Sequence, residues 1–305
     1  MEYFKKTVFK TKWKFLFYVG FIALPVAQFS IFYIGVNFNS LLLAFKDYSY
    51  AEGYGWAGLN NFKSVFTDLI VSDVMRIAFK NSIILLFFTL VVGITLAMLF
   101  SFYIYKKMPA SGLFKVMLFL PSIVSSVVLV IMFKYFVENA LPALWQEMTG
   151  KTIRGLLGNL DTRFATIVFY TVWAGFGPQI LLFSGAMGGI SESVVEAAKL
   201  DGITPLREFV YITVPMIWPT LVTFVTVGVA GLFTHQMNLF SFYGSMADYE
   251  LYTVGYYLYR TIQSSQTTLK EFPQLSAFGL VLTAFSVVLT FGIKWCLEKF
   301  GPKAV

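Results

Sequence analysis

Glu196, Ala197, Ala198, Asp201 and Gly202, followed by Ile212 and Pro215, form a polar run between two long apolar segments. Their types and spacing suit docking rather than bond-making. Ser191 or Ser193 can cap a helix, and Ser193 stands three residues before Glu196, the spacing of a capping box. Glu192 and Glu196 suit the positive end of the helix dipole. Ala197 and Ala198 favour helix and keep its face thin, and Asp201-Gly202 supplies a turn. Pro205 suits the first turn of a second helix, whose face would show Phe209, Ile212 and Val210. Pro215 and Pro219 then end it. The run over 188–219 therefore predicts a helix–turn–helix elbow lying along a membrane surface, with Glu196 and Asp201 offering charge to a partner.

Chemistry of the usual enzymatic kinds is not legible. No paired carboxylates, His-Glu-x-x-His or nucleophile–base constellation falls in an apolar segment. A phosphate-binding glycine loop ending in Lys-Ser/Thr is missing, so the sequence gives no sign of ATP hydrolysis. His235 is the single histidine and lacks companions for a metal; Cys296 is the single cysteine, so no intrachain disulfide or cysteine metal site is expected. No cofactor is implied. Polar side chains within apolar segments are costly and therefore candidates for a solute pathway. Trp173 and Gln179 lie in one such segment, and Thr234, His235 and Asn238 at the outer end of another. Interhelical hydrogen bonding or exposure at the interface is the simpler explanation for each of them.

The elements that must position these residues follow from composition. The chain has 305 residues, 57% hydrophobic and 13% charged, with mean hydropathy +0.72. That excess cannot be hidden in a soluble core. Six segments, near 14–36, 80–103, 113–136, 164–187, 218–240 and 275–295, can each cross roughly 30 Å of hydrocarbon as a helix. The first follows Lys5, Lys6, Lys10, Lys12 and Lys14, but it is too long for a signal peptide and is expected to be retained. Pro25, Pro121 and Pro178 lie in or beside these segments, and glycines cluster around the fourth, where small residues allow close helix approach. The expected architecture is an all-α integral membrane protein, one domain over 1–305 with its six-helix core near 14–296.

An even number of spans puts both termini on one side. That side carries the N-terminal lysines, Lys106, Lys107, Lys115, Lys199, Arg207, Lys294, Lys299 and Lys303, against Glu2, Glu192, Glu196, Asp201, Glu208 and Glu298. The net charge of +7 resides there, which the positive-inside rule makes cytoplasmic. No basic run interleaved with aromatics suggests a nucleic-acid surface. The loops 46–76, 137–163 and 243–273 then face outward, rich in aromatics that fit an interfacial belt or short surface helices.

The run from Glu196 to Pro215 resembles the EAA loop of ABC importer permeases: Glu-Ala-Ala, a glycine four residues on, then nine residues and Ile-x-Leu-Pro. Glu196, Ala197, Ala198, Gly202, Ile212 and Pro215 match; Val214 replaces the usual leucine, and Ile203 stands where many members have alanine. Ala44-Phe45-Lys46-Asp47-Tyr48, Gly58-Leu59-Asn60-Asn61-Phe62, Leu120-Pro121 and Thr253-x-x-Tyr256-Tyr257-x-Tyr259 resemble pieces of the carbohydrate branch, in its minimal six-span form. The resemblance implies a type I importer permease fold with a cytoplasmic EAA coupling loop. It implies a second permease, usually a different chain, an ATP-binding-cassette ATPase dimer docked on the loops, and an external or periplasmic solute-binding protein delivering a sugar. It places the chain in a bacterial or archaeal plasma membrane, and the position of substrate contacts in the maltose member raises Thr234, His235 and Asn238. A permease for another solute shares the EAA loop. An ion-coupled secondary transporter would place ionisable groups at mid-membrane, which these segments hardly carry.

Overall fold

The computed structural model describes residues 12–49, 53–264, 269 and 271–302; Glu2, Lys5, Lys6, Lys10 and Lys303, used above for orientation, lie outside them. The chain forms two compact units, Met1–Asp68 with Ser265–Leu282, and Leu69–Ser264 with Thr283–Val305.

The first unit begins with α1 (Trp13–Leu43), a helix of 31 residues, longer than the expected 14–36. Its side chains are exposed from residue 13 to 41, and its apolar residues occupy every face. A helix of that kind needs lipid as its solvent. The chain then departs from helix in a small antiparallel hairpin, β1 (Lys46–Ser49) and β2 (Gly53–Trp56), with Lys46 opposite Trp56 and Tyr48 opposite Tyr54. No hairpin was expected. Two of the sequence pieces singled out above hold it. Asn61, at the start of α2 (Asn60–Val71), donates its amide to the carbonyls of Ala44 (2.9 Å) and Lys46 (2.7 Å). The Phe45 ring meets those of Trp56 and Phe62 at 5.8 and 5.1 Å.

The second unit holds the spans that follow. α3 (Asp73–Tyr105) starts where the Ser72 hydroxyl accepts the Met75 N–H. The third expected segment, 113–136, is not one helix: α4 (Ser111–Ile123) stops, Val124 and Ser125 are extended, and α5 (Ser126–Thr149) begins anew and runs on past 136. α6 (Arg163–Gly175) and α7 (Gly177–Gly188) make a span bent by 41°. α8 (Glu192–Leu200) precedes α9 (Pro205–Met216), which turns by 72° into α10 (Trp218–Ala230). α10 is shorter than the expected 218–240, since Gly231 begins a run of turns in which Met237 and Asn238 have φ near 53° and 52°. α11 (Leu239–Tyr243) and α12 (Val254–Gln263) follow. The last helix, α13 (Glu271–Phe300), is apolar enough to span and contributes to both units. Among the described residues, four long helices and two bent pairs thus give up to 6 spans.

Packing in the second unit centres on α3 and α7. Ile94, Ala97 and Met98 meet Ile180, Phe183 and Met187 in a buried cluster, and the buried Ser101 hydroxyl donates to the Ile180 carbonyl at 3.0 Å. Of the glycines near the fourth segment, Gly177 sits against the Leu118 carbonyl, whereas Gly175, Gly185 and Gly188 face open space. Close approach therefore explains one of these four.

At the start of α6, Arg163 forks between Asp248 and Glu250, and the Asn81 amide donates to the carbonyls of Glu250 (2.8 Å) and Tyr252 (2.9 Å). Burial pushes the Tyr243 phenol up to about 12, so it stays a donor to the Leu157 carbonyl at 3.1 Å. Thr253 caps α12, accepting the Tyr256 N–H while donating to the His235 carbonyl at 2.7 Å.

The turn after α10 lies so close to α12 that a Cβ on Gly255 would stand 2.6 Å from the Thr234 carbonyl carbon. Gly255→Ala should cost about 1–3 kcal/mol and lower the melting temperature in detergent. Gly185→Ala, with open space around it and a better helix former in place of glycine, should not lower melting. Equal melting of the two variants would contradict this packing.

Candidate functional site

The elbow forms much as its residues require, with differences that have physical causes. Ser191 occupies the N-cap of α8, but its hydroxyl pairs with the Ser193 hydroxyl at 2.8 Å rather than with a backbone N–H. The expected capping box is not made, because Ser193 lies inside the helix. Glu192 in the first turn and Lys199 in the last complement the dipole. At the other end the Ile203 N–H returns to the Ala198 carbonyl (3.2 Å) and the Gly202 N–H to that of Lys199 (3.0 Å). These two bonds define a Schellman cap, which demands a left-handed residue between them. Gly202 supplies it, with φ +70°. The fixed distance from Ala198 to Gly202 is therefore the distance from a helix's last inward-facing residue to its cap.

Ala198 is buried, while Glu196, Ala197 and Asp201 are exposed. No ion pair joins Glu196 or Asp201 to another described residue. α9 starts with Pro205 at its first turn, widens to π geometry over Phe209–Thr213 and ends beyond Pro215. Its exposed face differs from the expectation. Leu206, Val210 and Tyr211 are exposed, whereas Phe209 turns inward onto the Phe102 ring at 5.1 Å and Ile212 is half-buried. Val194 and Leu200 are exposed as well, so the elbow carries exposed apolar side chains on both of its helices beside the exposed charges of Glu196, Asp201 and Arg207.

Beneath this surface lies a residue that motif reasoning passed over. Glu208 is 3% exposed, and both its carboxylate oxygens accept from Lys106 Nζ at 2.7 Å. The sequence signal was available only as one acid among the charges of that side.

The candidate pathway residues fall in two places. Trp173 packs its ring on Phe133 and Tyr170, each at 6.2 Å, and lines an apolar groove of about 710 Å³ between α3, α4 and α6. Gln179, in the first turn of α7, keeps its side-chain carbonyl buried without a hydrogen-bond partner among the described residues. Thr234, His235 and Asn238 are not helical, contrary to a span reaching 240. Thr234 and His235 are exposed in the turn after α10, and His235 Nδ1 accepts the Met237 N–H at 3.0 Å, which fixes the acceptor nitrogen of the ring. An aromatic relay links the two places: Asn238 O accepts the Phe242 N–H, the Phe242 ring meets Tyr170 at 5.1 Å, and Tyr170 meets Trp173. Among the described residues no group of three or more His, Cys, Asp or Glu could hold a metal.

Comparison with known proteins adds the following. A family model described as "binding-protein-dependent transport system inner membrane component" matches residues 89–304, more than half of the chain. The probable ABC transporter permease protein MG188 of Mycoplasma genitalium is 28% identical over 79% of this chain and 74% of its own length. The lactose transport system permease protein LacF of Rhizobium radiobacter is 28% identical over 78% of this chain and 80% of its own. A bacterial alginate ABC transporter, solved in complex with an alginate pentasaccharide-bound periplasmic protein, has a chain that superposes with TM-score 0.77 at 17% identity, covering 96% of this chain and 99% of that one. That likeness is one of fold, which is the type I importer permease fold.

Gly202→Ala should strain the cap by about 1–2 kcal/mol, the cost of a left-handed alanine. Amide exchange at residues 202 and 203 should accelerate at least fivefold, and Gly202→Asn should do less damage. Unchanged exchange in both variants would show that the cap does not hold the turn.

Proposed function

The chain belongs to the family of binding-protein-dependent transport system inner membrane components, and on that basis we propose that it is one permease of an ABC importer whose elbow, 188–219, seats a separate ATPase. It is a multi-pass membrane protein. The observation that carries the proposal is the Schellman-capped elbow, whose exposed apolar face and unpaired Glu196 and Asp201 are arranged for a partner while Ala198, Phe209 and Glu208 anchor it inward. Both termini and the elbow face the cytoplasm, a reading supported by Lys106, Lys107, Lys115, Lys199 and Arg207 on that side. The membrane is the plasma membrane of a bacterium or archaeon.

One six-helix unit offers half of an alternating pathway, so the chain works as a single permease domain beside a second, different permease. An ATPase dimer docks below, and an external or periplasmic binding protein delivers the solute. Closure of the ATPases on ATP favours one of two packed states through the elbow. The solute is a sugar or oligosaccharide, supported by relatives named for lactose, diacetylchitobiose and arabinooligosaccharides. Trp173 offers a ring face for stacking and Gln179 a free amide oxygen. Thr234, His235 and Asn238 line the outer approach.

Reversing charge at the surface or breaking the cap should separate docking from insertion. Glu196→Lys and Gly202→Pro should each abolish co-purification of the ATPase while the chain still inserts and still recovers its second permease. Normal recovery of the ATPase with both variants would refute the proposed seat.

A further inference from the structure

The elbow is fastened to the transmembrane bundle by a charged contact where an apolar one would serve. Desolvating two charges offsets much of their attraction, so a buried pair holds two segments no better than well-packed hydrophobic side chains do. Lys106 and Glu208 nevertheless meet with both carboxylate oxygens at 2.7 Å, and their side chains are 18% and 4% exposed. Lys106 is the C-cap of α3 and lies over the Phe102 ring at 5.7 Å; Phe102 in turn packs on Phe209, the residue after Glu208. Two adjacent contacts thus tie the same short piece of α9 to the last turn of α3. One turn back along α3, the Ser101 hydroxyl donates to the Ile180 carbonyl of α7, beside Gln179, whose amide oxygen has no hydrogen-bond partner among the described residues.

We infer that Glu208 and Lys106 form a strut that carries movement of the elbow through α3 into α7. This rests on the elbow being the ATPase seat. The π turn Phe209–Thr213 begins directly after Glu208, so α9 can alter its helical register on one side of the pair while the pair stays closed. Kept closed, the pair moves the start of α9 and the last turn of α3 together, so the coupling runs through one contiguous physical contact. Glu208 and Lys106 are positioning residues: neither is assigned contact with solute or nucleotide.

The test uses the whole assembly, purified through a tag on this chain. Cys296→Ser removes the exposed native cysteine, and Gly175→Cys places a thiol reporter at the bend between α6 and α7, where a Cβ meets nothing within 4 Å. Maleimide labelling of this chain is followed with and without ATP and vanadate. With the pair intact, trapping the ATPase should change the labelling rate at least fivefold. Glu208→Gln and Lys106→Met should retain the bound ATPase yet reduce that change to less than twofold. The exchange of both charges, K106E with E208K, should restore part of it, a rescue that a merely structural loss would not show.

The inference is overturned if the single variants respond to ATP like the parent, if their only defect is lower recovery of an otherwise responsive assembly, if the exchange restores nothing, or if the thiol reporter at the bend never responds with the pair intact. Absence of any ATPase from the parent assembly removes the reading beneath the inference as well, and co-purification reports that outcome separately from labelling.

Discussion

Inside hydrocarbon a backbone amide can bond only to other groups of the protein, and that constraint decides where this chain is free to bend. Long helices satisfy it along their length, as in α13, and as in α1 and α3, which pass through π turns at Phe29–Gly35 and Phe88–Gly93 without leaving the helix. Each break has to be repaired locally. At the 41° bend the Ile180 N–H returns to the Phe176 carbonyl at 3.1 Å. At the 72° turn Ile217 donates back to Thr213 and accepts from both Thr220 and Leu221. Between α4 and α5 the Ser125 carbonyl accepts the Leu129 N–H and starts the new helix. The bends are therefore specific joints with defined bonding.

The elbow follows the same rule of bonding at the membrane surface. Its cap closes α8 with backbone groups alone and leaves the side chains of Glu196, Ala197 and Asp201 uncommitted. Its inward face is held by Ala198, by the Phe102–Phe209 ring contact and by the Lys106–Glu208 pair. The proposed ATPase seat would use this division, an exposed face and an inward face with several partners. The segments at the other ends of these helices show the complementary pattern. Arg163 with Asp248 and Glu250, and Asn81 with two carbonyls, pin the segment before α12 to α3 and α6.

Much of this was legible in residues alone. Apolar runs located the spans, because length and hydropathy are summed over many residues and tolerate local error. The elbow was legible because Pro205 and Gly202 impose backbone geometry wherever they stand. Failures came where tertiary contact decides. Val124 and Ser125 carry no breaker signal, yet the third span stops there. Phe240 looks like a continuation of α10, but the turns from Gly231 onward end the helix first, packed against Gly255 and capped from Thr253. The hairpin at 46–56 depends on Asn61 and Phe62 reaching back to Ala44 and Phe45, a pairing between two pieces that had been noticed separately. Glu208 was counted as a surface charge, and only its partner reveals it as buried.

If this chain is a permease driven by an ATPase seated on its elbow, the tagged, unaltered chain should bring its partners with it from mild detergent. Mass spectrometry of everything that accompanies it should then find an ATP-binding-cassette ATPase, a second permease with its own elbow and a solute-binding protein. Recovery of the chain alone, as a stable homo-oligomer that transports in proteoliposomes without ATP, would contradict this reading.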